Sequence, residues 1–159
     1  MSYTVLKVLL DSTYLLPSFG IEVEKLSDED ILRLRKAAVE GKVKFYCLSV
    51  VWVEVIGKIY RESRRLNINL GEILDVALKS LLESGFYRWI QPTSKAVKLA
   101  FKLRTLGHRD NIDNLLYATS IVNKMIFLTM DKELIDFLSE RGYGTENLMN
   151  HKQLFSRIW

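Results

Sequence analysis

HRDNIDNLLYATSIVNKMIFLTMD, residues 108–131, is the stretch whose reading decides the fold. Two carboxylates, Asp110 and Asp113, open it, and Ile112, Leu115, Leu116, Ala118, Ile121 and Val122 follow at the 3.6-residue spacing of a buried helix face. Both acids therefore fall at a helix start. Asn123 and Lys124 break the pattern, and Met125 to Thr129 is a short apolar run of strand type that ends at a further acid, Asp131. In a parallel α/β sheet, helix N-termini and strand C-termini meet along one edge, the edge where such folds bind ligands. Acids distant in sequence converge there.

Outward from this unit the chain alternates in the same way. Tyr3 to Leu10 is a nearly continuous apolar run suited to a central parallel strand, closed by Asp11. Asp11 or Ser12 caps a short helix through Leu16, which Pro17 and Gly20 are expected to end. Ser27-Asp28-Glu29-Asp30 signals a helix start, its acids read as capping and solvated charge, with Ile31, Leu32, Leu34, Ala38 and Val39 as core stripe up to Gly41. Val43 to Leu48 is a second strand, and Ser49 is the expected cap of a helix that turns Trp52, Val55, Ile56 and Ile59 inward. Glu54 lies in its first turns.

A third helix begins after Asn69 and carries Leu70, Ile73, Leu74, Ala77, Leu78, Leu81 and Leu82, a stripe for the core or for a partner. Phe86 to Ile90 is a short strand, and Pro92-Thr93-Ser94 leads into a helix with Ala96, Val97, Leu99, Ala100, Leu103 and Leu106. Beyond Asp131, Leu134, Ile135, Phe137 and Leu138 form a helix ended by Arg141-Gly142. Thr145 to Met149 is a last short strand, and an edge helix or arm, with His151, runs to Trp159. The expectation is one domain over residues 1–159: a three-layer α/β/α, doubly wound, mostly parallel sheet of about five strands. The first strand and the one ending at Thr129 then sit side by side where the winding reverses, which brings Asp11 beside Asp131.

The chain has 159 residues, 48% hydrophobic and 26% charged, the balance of a globular protein. Its single cysteine, Cys47, sits in an apolar run, which fits a buried thiol in a reducing cytoplasm. No run is long enough to cross a bilayer, and the start reads as no signal peptide. The net charge of +4 suits an acidic partner such as nucleic acid.

Asp11, Glu54, Asp110, Asp113 and Asp131 all belong to the same sheet edge. Singly, each has an ordinary reading as a cap, a first-turn acid or a surface charge. Asp11 is the hardest to explain so, because it directly follows a buried central strand. Carboxylates held together repel one another unless a cation neutralises them, and Mg²⁺ or Mn²⁺, which takes oxygen ligands, is the natural solution.

Four pieces carry a resemblance: Val8-Leu9-Leu10-Asp11-Ser12-Thr13, then Leu48-Ser49-Val50-Val51-Trp52-Val53-Glu54, then Asp113-Asn114-Leu115-Leu116-Tyr117-Ala118-Thr119-Ser120, then Phe127-Leu128-Thr129-Met130-Asp131. Together, and in this order, they resemble the PIN-domain ribonucleases, especially the VapC-type toxins. The resemblance implies metal-dependent endonucleolytic cleavage of RNA in the cytoplasm, a small antitoxin partner and a homodimer. It implies catalytic roles for Asp11, Glu54, Asp113 and Asp131, with Asp110 as a supporting or alternative metal ligand. Asp11 and Asp131 would hold the principal ion, Asp113 would ligate directly or through water, and Glu54 would position or deprotonate the attacking water. By the same analogy Ser12 and Thr129 orient carboxylates. Lys58, Arg61, Arg64, Arg65, Arg104 and Arg109 are candidates for the RNA backbone, Arg109 foremost as the neighbour of the site. The early Pro17-Ser18-Phe19-Gly20 and the long segment from Ile21 to Gly41 depart from many members of that family.

Rival acidic sites fit less well. A haloacid-dehalogenase-like phosphatase needs a second aspartate where Thr13 stands, and a response-regulator receiver needs an acidic pair near the end of the first strand. A housekeeping RNA-processing nuclease, or a PIN-like domain that binds RNA or a partner without cleaving it, shares the same residues.

Overall fold

The structure, a computed structural model, describes residues 4–159. Its centre is β1, Leu6–Leu10, where Val8, Leu9 and Leu10 are buried because helices cover the sheet on both faces. The expected start of this strand at Tyr3 lies outside the described residues. β2 (Val43–Leu48), β3 (Tyr87–Ile90), β4 (Ile126–Leu128) and β5 (Leu148–Met149) complete a five-stranded sheet in the order β3-β2-β1-β4-β5. Every pairing is parallel, so the sheet is wholly rather than mostly parallel. Leu9 pairs with Tyr46 of β2 on one side and Phe127 of β4 on the other, so the winding reverses between β1 and β4, as expected.

The helices are α1 (Asp28–Val39), α2 (Val51–Leu66), α3 (Gly71–Leu78), α4 (Ser94–Thr105), α5 (Asn111–Val122), α6 (Lys132–Glu140) and α7 (His151–Ile158). α3 runs on into a single wide π turn, Lys79–Glu83. Thr93 caps α4, its hydroxyl accepting the Ala96 N–H at 3.3 Å. α5 buries nearly its whole circumference, from Asp113 and Asn114 to Ser120, because it lies between the sheet and α4.

Several local expectations are corrected. Pro17 does not stop the segment after β1: Ser12–Phe19 is a 3-10 helix with Pro17 inside it, since the fixed φ of proline suits a helical turn and only one N–H is forfeited. Gly20, at φ 74°, ends it. Ser49 is not the cap of α2, because its hydroxyl donates instead to Gln91 Oε1 at 2.9 Å. Leu32, Val39, Ile56, Val97, Leu106 and Ile121 are exposed, not core, and in the α3 stripe, read as core or partner surface, Ile73, Leu78 and Leu82 are exposed. A helix lying on a sheet buries only a narrow stripe, and these residues fall outside it.

Asp30 is not solvated charge. It closes a capping box with Ser27, and its buried carboxylate lies 3.3 Å from His151 Nε2. His151, in the segment expected as an edge helix or arm, is buried at the start of α7, its Nδ1 3.0 Å from the Tyr14 hydroxyl. Arg33 of α1 stacks on Phe155 of α7 at 4.3 Å. The last helix is therefore fastened to α1 and to the 3-10 segment that follows Asp11.

The corrected stripe of α1 is testable by paired substitutions. Leu34→Ala, at a side chain 8% exposed, is expected to cost about 2–5 kcal/mol in denaturant unfolding. Leu32→Ala, at one 65% exposed, is expected to stay within about 0.5 kcal/mol of the parent. Equal losses at the two positions would contradict the packing described.

Candidate metal centre

The strands end together, and the residue after β1 is Asp11. The Asp11 N–H donates to Leu128 O at 3.1 Å, continuing the β1–β4 ladder by one residue and leaving the side chain at the sheet's edge. Its two carboxylate oxygens are held separately: the Ser12 N–H donates to Oδ1 at 2.7 Å, and Thr129 Oγ1 donates to Oδ2 at 2.9 Å. Thr129 Oγ1 in turn accepts the Asp131 N–H at 3.1 Å. One hydroxyl thus fixes the spacing between the end of β1 and the turn after β4.

α2 brings Glu54 from the opposite side, and α5 brings Asp113. Carboxylate oxygens of Asp11, Glu54 and Asp113 lie within 4.8 Å of one another. A cleft of about 330 Å³ is lined by these three together with Asp110, Asp131, Thr13, Lys58 and Met130. All five acids named from the sequence therefore share one cavity. They do not share it equally. Asp110 caps α5, Oδ1 accepting from the Ile112 and Asp113 N–H groups at 3.0 Å each, and Asp131 caps α6, accepting from the Leu134 N–H at 3.2 Å. The tight trio is Asp11, Glu54 and Asp113, and Asp131, while capping α6, also meets the Asp113 carboxyl in the same cleft.

The electrostatics of the cleft are unfavourable to so many anions. Burial, then the charges of Asp11 and Asp110, push the Asp113 carboxyl up to about 9. Burial also raises the Asp11 carboxyl, against the hydrogen bond from Thr129 and the charge of Lys58. Glu54 is raised by burial too, opposed by Lys58 and reinforced by Asp11. Glu54 Oε1 is buried with no hydrogen-bond partner. A buried, unpartnered carboxylate oxygen facing two further carboxylates is the donor set of a hard divalent cation, so these residues fit Mg²⁺ or Mn²⁺.

Among the cations put forward from the sequence, Lys58 reaches the cleft. Its Nζ donates to Ser12 Oγ at 3.0 Å, so the Ser12 hydroxyl receives Lys58 while the Ser12 backbone holds Asp11. Arg61, Arg64, Arg65, Arg104 and Arg109 are exposed and lie outside the cleft wall, and Arg65 pairs with Glu62. Sequence reasoning missed Thr13 and Met130 as wall residues, and it missed Asn114. The fully buried Asn114 side chain donates to His108 O at 3.0 Å and meets His108 Nδ1 at 2.8 Å, which pins the loop leading to Asp110. Its signal was a polar residue within the apolar pattern of α5.

No family model and no curated protein sequence matches this chain. Solved structures do match. The VapBC2 complex from Rickettsia felis, bound to a DNA fragment from its promoter, is 16% identical at a TM-score of 0.59, covering 91% of this chain and 98% of that one. PAE2754 from Pyrobaculum aerophilum is 12% identical at a TM-score of 0.63, covering 99% and 98%. A toxin–antitoxin complex from Klebsiella pneumoniae is 14% identical at a TM-score of 0.54, covering 91% and 97%. The molecule is a parallel three-layer α/β/α protein with an acidic cleft at its topological switch point. More narrowly, its fold is the one shared with these three solved structures, the VapBC2 complex among them.

A carboxyl whose folded pKa lies above its unfolded value stabilises the fold at low pH, and that contribution is lost as pH rises through the folded pKa. In EDTA, the melting temperature is therefore expected to fall between about pH 4 and pH 9 through Asp113. Asp113→Asn should flatten this slope, and Mn²⁺ should raise the parent's melting temperature more than the variant's. A parent whose stability is indifferent to both pH and Mn²⁺ would contradict the crowding of charge described.

Proposed function

We propose that this protein is an Mg²⁺- or Mn²⁺-dependent endoribonuclease, the toxin of a toxin–antitoxin pair. The observation that carries the proposal is the trio Asp11, Glu54 and Asp113, with carboxylate oxygens within 4.8 Å of one another and Glu54 Oε1 buried without a partner. The likeness to structures described as toxin–antitoxin complexes supports the toxin role and a small antitoxin as partner. The reading also takes in a homodimer and a cytoplasmic site of action.

Asp11, Glu54 and Asp113 would hold the ion, with Asp131 and Asp110 close by in the same cleft. A bound divalent ion supplies positive charge to the phosphoryl oxygens and lowers the pKa of a water. The chain's own residues do the rest. Thr129 and the Ser12 N–H hold both oxygens of Asp11, so that the carboxylate cannot rotate away from the cleft. Glu54, half-buried, would also position or deprotonate the water that attacks phosphorus. Lys58 puts a cation at the cleft wall where the phosphodiester enters, and its bond to Ser12 keeps its charge near Asp11 and Glu54.

The test is cleavage of single-stranded RNA over a titration of Mn²⁺ and Mg²⁺. Asp11→Asn and Asp113→Asn are expected to lower the rate by about 100-fold or more, the scale of removing one preorganised charge-stabilising group. Thr129→Val should cost about 10- to 100-fold in activity or metal affinity. Asp110→Asn and Asp131→Asn should cost less than Asp113→Asn, since both acids are engaged as caps. Cleavage that persists in EDTA, or in folded Asp11→Asn protein, would overturn the assignment.

A further inference from the structure

α4 carries Lys95, Lys98, Lys102 and Arg104 and no carboxylate. All four are exposed, and none of the ion pairs among the described residues includes any of them. Helix stability does not account for this pattern. Lys95 stands in the first turn, where the macrodipole disfavours a cation, and Lys98 and Lys102 are like charges spaced i,i+4. Lys95, Lys98 and Lys102 lie on one face at i, i+3 and i+7, a row about 10 Å long. Beside the row, one turn from Lys98, Phe101 is 69% exposed.

α4 runs toward the loop that leads into the acidic cleft. α4 packs on α5 through Ala96, Ala100 and Ala118, small side chains that let the helices approach closely. The short connection between them makes them antiparallel, so the end of α4 stands beside the start of α5, where Asp110 and Asp113 sit. A second copy of the chain is a poor occupant of this face, since a two-fold contact would set lysine against lysine. A polyanion with stackable rings fits it: lysines take phosphates, and an exposed phenylalanine takes a base.

We propose that the Lys95, Lys98, Lys102 and Phe101 face of α4 is a track for single-stranded RNA that feeds the strand toward the acidic cleft. The proposal rests on the nuclease reading for the fate of the strand, not for its binding.

The test is the anisotropy of a short fluorescent single-stranded RNA, measured across a range of salt in EDTA on the Asp11→Asn background. Replacing the three lysines together with alanine should reduce the slope of log affinity against log salt by about 2, at about 0.7 per phosphate contact on a single strand. Phe101→Ala should weaken binding by about 5- to 100-fold with the slope unchanged, and Phe101→Trp should restore it. Thermal melts establish that each variant is folded. An unchanged slope in the folded triple variant overturns the track. So does a Phe101→Ala protein that changes oligomeric state in sedimentation but binds RNA normally, which would make the face a protein interface. Mn²⁺-dependent cleavage by the chain with native Asp11 is followed in parallel. Track binding without cleavage sinks the nuclease reading and leaves the track, and cleavage with an unchanged slope does the reverse.

Discussion

The seam between β1 and β4 is the constraint on which the rest of the molecule depends. Across it, backbone pairing from Val8 to Leu10 is extended by the Asp11 N–H and then by the bond from Thr129 Oγ1 to Asp11 Oδ2. The same threonine oxygen accepts the Asp131 N–H, so two acids from opposite ends of the chain are spaced by one hydroxyl. Because the seam is buried in apolar residues, water cannot compete for these bonds, and the carboxylate that emerges from it has a fixed direction. α2 and α5 need only deliver Glu54 and Asp113 to an anchor that the sheet has already set.

That arrangement concentrates negative charge in a protein whose net charge is +4. Among the described residues, Lys58 alone of the basic side chains lines the cleft with five acids. The remaining cations are spread over the exterior, with a run on α4 that has no acidic partner. Positive charge on the exterior and negative charge in the cleft thus occupy separate surfaces, and solvent screens the exterior charge from the cleft.

Much of this was legible before any coordinates. The apolar runs at Leu6 to Leu10, Val43 to Leu48 and Ile126 to Leu128 bury both faces, so their composition alone marks central strands, and alternation with helices gave the winding order. Asp11 stood out because a charge directly after such a run has no packing role. What the sequence could not supply was the allocation of tasks among acids. A helix begins at Asp131 and has already begun at Glu54, so the first both caps α6 and meets Asp113 while the second keeps an oxygen free. Helix faces were overread for a related reason: Leu32 and Ile56 fit an apolar period as well as Leu34 and Val55 do, and only the width of the sheet contact separates them. Asp30 and His151 were passed over because their partners lie far away along the chain.

The latch between Tyr14, Asp30 and His151 bears on the order in which the molecule can be made. Tyr14 and His151 are 137 residues apart, and Asp11 and Thr129 are 118 apart. Contacts of such separation cannot form on a ribosome until the later partner has been threaded out, and they slow folding because long loops must close first. The nascent chain therefore carries β1, and the acid that follows it, without the bond from Thr129 until β4 has emerged and without the latch until α7 has.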